Sequence, residues 1–178
     1  MTLILGFAPF ILFSVLWRLS ADLALWIAFA AAFVVTIRDF VERPVLRLLD
    51  VASMTLLGLL AVFRGFITPD MSPSAVRTIL EAGLTLVIGL SLLRRRPFSL
   101  EYASGETHGR RWPAEAFLKV NYVISGAWFL AFLAMTLADA AVTLFAVPFY
   151  IGIAVSVLSL ASAATLTLWY PSLAASKL

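Results

Sequence analysis

Two residues of opposite charge, Arg77 and Glu81, stand four positions apart inside a long apolar run. At helical spacing they share one face and can form an ion pair. The run extends from Pro73 to Leu93, with its midpoint near Gly83. In a helix crossing a bilayer, Glu81 therefore lies near the centre and Arg77 about one turn nearer the outside. An ionisable group at such depth is costly unless paired or hydrated, and by default marks a substrate, ion or proton site. Two readings follow. In one, the pair neutralises itself inside a bundle and sets helix register, so that Glu81→Gln strands a buried arginine. In the other, Glu81 is a coupling or substrate site.

Further along, Asn121, Ser125, Trp128 and Phe132 follow a 4, 3, 4 spacing and occupy one helix face. The amide and hydroxyl of such a stripe hydrogen-bond across to a neighbouring helix. Asn121 joins Arg77 and Glu81 as a binding or coupling candidate, with packing as the alternative. Gly152, Ser156, Ser159 and Ala163 repeat the same spacing with small side chains, which lets another backbone approach closely. Gly152, Ser156 and Ser159 are the helix-packing candidates, against an internal helix or a second copy of the chain. Asp50, three residues after Arg47, reads as an interfacial ion pair at a helix end.

Other chemistries find little to stand on. The chain has one histidine, His108, and no cysteine. That combination excludes disulfides, thiolate zinc sites and cysteine nucleophiles, and His108 alone cannot build a closed zinc or haem site. No metal or cofactor is expected. There is no G-x-S-x-G elbow, phosphate-binding loop or dinucleotide fingerprint. Glu101 and Glu106 lie on a loop without a partner nucleophile, so no enzymatic activity is expected. The basic residues sit at helix ends without a stacking platform, a pattern that favours anionic lipid headgroups over nucleic acid.

The elements that position these residues follow from composition. The chain is 62% hydrophobic and 13% charged, with a net charge of +3. A soluble domain is nearer half apolar and a quarter charged, and one of this length cannot hide so much apolar surface. A spanning helix needs about 17–25 mostly apolar residues. Six segments qualify: 2–17, 21–37, 45–67, 73–93, 116–137 and 143–169. The expected fold is an all-α polytopic membrane bundle of about six helices built as antiparallel hairpins, a single domain with one long loop over 94–115. Pro9 is expected to kink the first helix, Ser72 and Pro73 to start the fourth, and Pro148 to mark a bend in the sixth. The first segment carries no basic residue before Arg18, so it reads as a retained helix and not a cleaved leader.

The third segment is the weakest, because Arg47, Asp50 and Arg64 flank a short apolar core. Charge asymmetry favours keeping it. With six spans, one side holds both termini and Arg38, Arg43, Arg47, Arg94, Arg95, Arg96, Arg110, Arg111, Lys119 and Lys177, whereas the other holds Arg18, Arg64 and Arg77. Lys- and Arg-rich loops are cytoplasmic, so both termini are expected in the cytoplasm. Without the third span this bias largely disappears.

One stretch carries a resemblance. Arg96-Pro97-Phe98-Ser99-Leu100-Glu101-Tyr102-Ala103, then Arg111-Trp112-Pro113, then Asn121-Tyr122-x-x-Ser125-x-x-Trp128, resembles a group of small bacterial inner-membrane proteins similar to the intracellular septation protein A family. The resemblance runs from Arg96 to Phe132. It implies a multi-pass protein of the bacterial cytoplasmic membrane, associated with envelope organisation or septation. The basic helix ends and small-residue faces make membrane lipids, further copies of the chain or other membrane proteins the expected partners. The resemblance brings no catalytic residues with it. The alternative is a small transporter or channel that uses the intramembrane Arg77–Glu81 pair.

Overall fold

The computed structural model describes residues 6–17, 20–42, 44, 46–103, 113–145 and 147–175. They form seven helices: α1 Ala8–Leu16, α2 Ala21–Glu42, α3 Leu48–Val62, α4 Pro73–Leu93, α5 Ser99–Ala103, α6 Ala114–Phe145 and α7 Phe149–Ala175. A π-helical turn, Phe63–Ile67, continues α3, and the Thr68 N–H closes it on the Phe63 carbonyl at 3.0 Å. Five of these are long and apolar enough to cross a membrane: α2, α3 with its π turn, α4, α6 and α7. Within the described residues α1 has only nine, fewer than a span requires.

Side-chain contacts tie the long helices to one another. Asp22 at the start of α2 pairs with Arg64 beyond α3, whereas the Thr36 hydroxyl, late in α2, points at the Asp50 carbonyl at the start of α3 (3.4 Å). Tyr122, early in α6, donates to the Leu92 carbonyl at the end of α4 at 3.3 Å. The Trp128 indole N–H donates to Thr167, late in α7, at 2.9 Å. On α1, Phe7 stacks on Trp128 with ring centroids 3.9 Å apart, and Phe10 meets Phe132 edge-on. The outward faces stay apolar: Val34, Leu59, Leu86, Leu130 and Leu158 are each more than half exposed. So much exposed leucine and valine on successive helices suits a hydrocarbon surround.

Local signals place the boundaries. Ser72 caps α4, its hydroxyl accepting the Ala75 N–H at 3.2 Å, and Pro73 follows at the first helical position, as the sequence predicts. Pro9 falls in the first turn of α1, where its missing N–H breaks no hydrogen bond; most of the expected helix before it lies outside the described residues. α4 ends in a Schellman motif: Arg95 N–H bonds Leu92 and Arg96 N–H bonds Ser91, both at 3.0 Å, with Arg95 at φ 55°.

Several elements overrun their expected limits. α2 continues to Glu42 and α6 to Phe145, so the break between the last two helices moves from near 138–142 to the residues around Pro148. The stretch Ala138-Asp139-Ala140-Ala141 contains no breaker, and alanine is the best helix former. Pro148 lies before α7 and separates two helices instead of bending one. The predicted loop over 94–115 is helical in part, because α5 folds into the bundle and α6 begins at Ala114; its residues 104–112, including Glu106, His108, Arg110 and Arg111, lie outside the described residues, as do Arg18, Arg43 and Lys177.

Candidate functional site

Arg77 and Glu81 are both 5% exposed, and the extension of α6 brings a third charge, Asp139, to them. Arg77 Nη2 lies 3.7 Å from Glu81 Oε1, and Arg77 Nε lies 2.9 Å from Asp139 Oδ2. The two carboxyl groups thus stand beside one another on the same guanidinium. On the far side, Arg77 Nη2 donates to Ser156 Oγ at 3.1 Å, and that hydroxyl in turn donates to the Gly152 carbonyl at 2.9 Å. Three long helices thus converge on one guanidinium. Arg77 and Glu81 come from α4, Asp139 from α6, and Ser156 from α7.

The geometry leaves the cluster incompletely satisfied. Among the described residues Glu81 Oε2 has no hydrogen-bond partner, and the Arg77 Nε–Asp139 Oδ2 contact is a close ion pair without good hydrogen-bond alignment. Beside Glu81 lies a cavity of about 20 Å³, lined by Phe7, Phe10, Phe13 and Phe132 as well as by Arg77 and Glu81. That is room for about one water molecule. Counting from the ends of α4, α6 and α7 at helical rise, the charged groups and Ser156 sit about 6–12 Å inside. Two aromatic rings cover the guanidinium: Trp17 at 6.0 Å and Phe149 at 5.9 Å from its carbon to the ring centroids. One turn deeper, Thr85 and Thr136 meet at 3.3 Å across the same α4–α6 seam.

The small-residue face of α7 has its close approach inside the chain. Gly152, Ser156 and Ala163 are the buried positions of that helix, whereas Ser159 is only partly covered. A Cβ on Gly152 would stand 2.9 Å from Asp139 Oδ1 and 3.3 Å from Val142 Cγ2. Gly152 therefore makes the space in which Asp139 reaches Arg77.

Asn121 belongs to a second, separate cluster at the other end of the bundle. The short helix α5 tucks Phe98, Ser99 and Tyr102 inward, all three at most 2% exposed. Ser99 Oγ lies 2.8 Å from Asn121 Oδ1 and 3.0 Å from the Asn121 carbonyl, and Ser125 Oγ is 3.0 Å from Ser99 Oγ. The Asn121 amide donates to the Phe117 carbonyl at 2.9 Å. Both ends of this side chain are engaged within the protein. On the other flank of α5, the Tyr102 hydroxyl donates to Asp50 Oδ1 at 2.8 Å, and Glu101 Oε2 accepts the Leu48 N–H at 2.6 Å, which caps the start of α3. Arg47 lies over the Tyr102 ring at 4.8 Å and pairs with Asp39 rather than with Asp50, its expected partner. Burial pushes the Glu101 carboxyl above the ordinary range, more than the Leu48 N–H pulls it down. Burial, with the Asp50 charge beside it, likewise raises the Tyr102 hydroxyl.

Asp139 is the residue that sequence reasoning missed, because it falls between the expected spans 116–137 and 143–169. The signal was present. Continuing the Asn121–Phe132 stripe by 3 and 4 residues reaches Met135 and Asp139, both buried on that face. Among the described residues no group of three or more His, Cys, Asp or Glu is arranged to hold a metal ion. No protein family matches this chain, nor does any curated protein or solved structure.

Proposed function

We propose that this chain is a non-enzymatic integral membrane protein of the bacterial cytoplasmic membrane, acting through helix and lipid contacts in envelope organisation. The observation that carries this reading is the closure of the bundle at both ends. α5 fills one end with Phe98, Ser99 and Tyr102, and the Trp17 and Phe149 rings, 4.9 Å apart, meet over the other. What such a molecule offers to its surroundings is its apolar flank. The resemblance over Arg96–Phe132 points to septation or envelope upkeep, and it includes Ser99, Asn121 and Ser125, which meet where α5 packs on α6.

Six spans with both termini cytoplasmic is the topology we favour. Gly6 lies against Asp50 and Tyr102, whereas Trp17 lies beside Arg77 and Phe149, which supports the first segment running from the α5 cluster toward the Arg77 cluster. Arg38, Arg47 and Arg94–Arg96 then share the cytoplasmic end with α5, and Arg64 and Arg77 take the opposite end, in keeping with the positive-inside rule. Reporter fusions at the C-terminus and after Arg111 test this. Cytoplasmic reporter activity is expected at both sites, and periplasmic activity at either overturns the topology. Deletion of the gene is expected to alter cell length or sensitivity to envelope stress; unchanged growth and morphology under both conditions argue against an envelope role.

A second reading, a small transporter or channel, is favoured by one observation: a buried carboxylate, Glu81, with an unpartnered oxygen beside a cavity. Proteoliposomes loaded with a pH-sensitive dye test it. Proton or solute flux that Glu81→Gln abolishes would promote this reading over the first.

A further inference from the structure

We propose that Glu81 and Asp139 form a proton-binding site that holds one exchangeable proton between them, with Arg77 as the fixed counter-charge. The inference rests on the chain being embedded in a membrane and on neither functional reading in particular.

The argument begins with charge. Arg77 contributes one positive charge, and Glu81 and Asp139 contribute two negative ones if both are ionised. All three side chains are at least nine-tenths buried. An unbalanced charge in such a place is costly, and two facing carboxyl groups do not both ionise readily. One proton removes the imbalance and leaves a guanidinium, a carboxylate and a carboxylic acid.

Geometry supplies the second line. Three acceptors crowd the same spot with too few donors. Arg77 spends one N–H on Ser156, Glu81 Oε2 receives none, and Asp139 Oδ2 has only a poorly aligned one. A carboxylic acid adds the missing donor, an O–H directed at the facing carboxylate. No other described titratable group faces the site. α7 presents Ser156 and Gly152, and α1 presents Trp17, Phe13 and Ser14. Asp50 lies at the other end of the bundle beside Tyr102.

The cavity leaves room for a proton carrier beside the acid. It borders Glu81, is large enough for about one water, and has the Arg77 side of the cluster under only two aromatic rings. Binding takes a proton from water onto one carboxylate oxygen, and release returns it, so no other reactant is involved. The pair titrates as a unit, and the proton belongs to neither residue alone.

Infrared spectroscopy of the whole chain in lipid nanodiscs tests this. A protonated carboxyl has a C=O stretch separate from that of a carboxylate. The expected result is one such band at neutral pH that remains in Asp50→Asn, is lost in Glu81→Gln or Asp139→Asn, and disappears at alkaline pH. Carboxyl-labelled glutamate or aspartate shifts the same band in a chain carrying both Asp50→Asn and Glu101→Gln, so the assignment survives even if neither site variant folds. Absence of the band at neutral pH, or a band indifferent to both labels, overturns the proposal. A band present without any flux in proteoliposomes leaves the proton site standing and removes the transport reading.

Discussion

Asp139 Oδ2 lies 2.9 Å from Arg77 Nε, and this contact reverses the expected ranking of substitutions at the buried pair. With Glu81 as its sole partner, Arg77 would be stranded by Glu81→Gln. With Asp139 beside it, Arg77 keeps a counter-charge when Glu81 is neutralised. Removing Arg77 leaves two facing carboxyl groups and an underused Ser156 hydroxyl instead.

Arg77→Gln is therefore expected to be the severe change, costing about 3–5 kcal/mol, as for a buried pair broken from one side. Glu81→Gln should stay within about 1 kcal/mol of the unmodified chain. Thermal unfolding in detergent micelles orders the two; an equal or larger loss for Glu81→Gln contradicts the three-residue arrangement.

The α6–α7 contact predicts a contrast along one helix face. Gly152→Ala places a methyl group 2.9 Å from Asp139 Oδ1 and should cost about 1–3 kcal/mol through overpacking. Ser159→Ala, at a partly covered position of the same stripe, should be close to neutral. Melting temperatures of the two variants settle the comparison, and equal values would show that the stripe is not read position by position.

Tyr102 is the side-chain donor to Asp50 Oδ1, and Asp50 Oδ2 has no partner. Tyr102→Phe should lower stability by about 1–3 kcal/mol, the cost of leaving a buried acceptor unpaired. Combining it with Asp50→Leu should bring back part of the loss, since neither polar group then remains. A double-mutant cycle that shows no coupling would mean that this hydrogen bond contributes nothing net.

The cap on α3 predicts a pH dependence. The folded chain holds the Glu101 carboxyl above its ordinary range, chiefly through burial, so it binds a proton more tightly than the unfolded chain does. The stabilisation from this group is thus complete at low pH and is lost as pH rises through the folded value. Unfolding measured across the acidic range should show this slope, and Glu101→Gln should flatten it; an unchanged slope assigns the titration elsewhere.

Arg95 occupies the left-handed position at the end of α4, a conformation that costs most residues about 1–2 kcal/mol and glycine almost nothing. Arg95→Gly should raise stability by up to about 1 kcal/mol, without disturbing the Arg96 N–H to Ser91 hydrogen bond. A loss of stability would mean that the Arg95 side chain contributes more than its backbone strain removes.

What the sequence by itself determined here is local or additive. Apolar runs long enough to span, the Ser72–Pro73 helix start and the shared face of Arg77 and Glu81 each depend on residues within a turn or two, or on composition summed along a segment. The buried face of α6 is equally periodic, yet Asp139 falls between the expected spans 116–137 and 143–169, where periodicity alone does not say that one helix continues. Only the tertiary structure placed Arg77 opposite it, and the burial of a charge is decided by its partner. The loop after α4 shows the same division. Nothing within its residues says that Ser99 meets Asn121 and Ser125 while Tyr102 meets Asp50. Those partners come from α3 and α6, and a hydrogen bond between distant segments exists only once packing brings their backbones together.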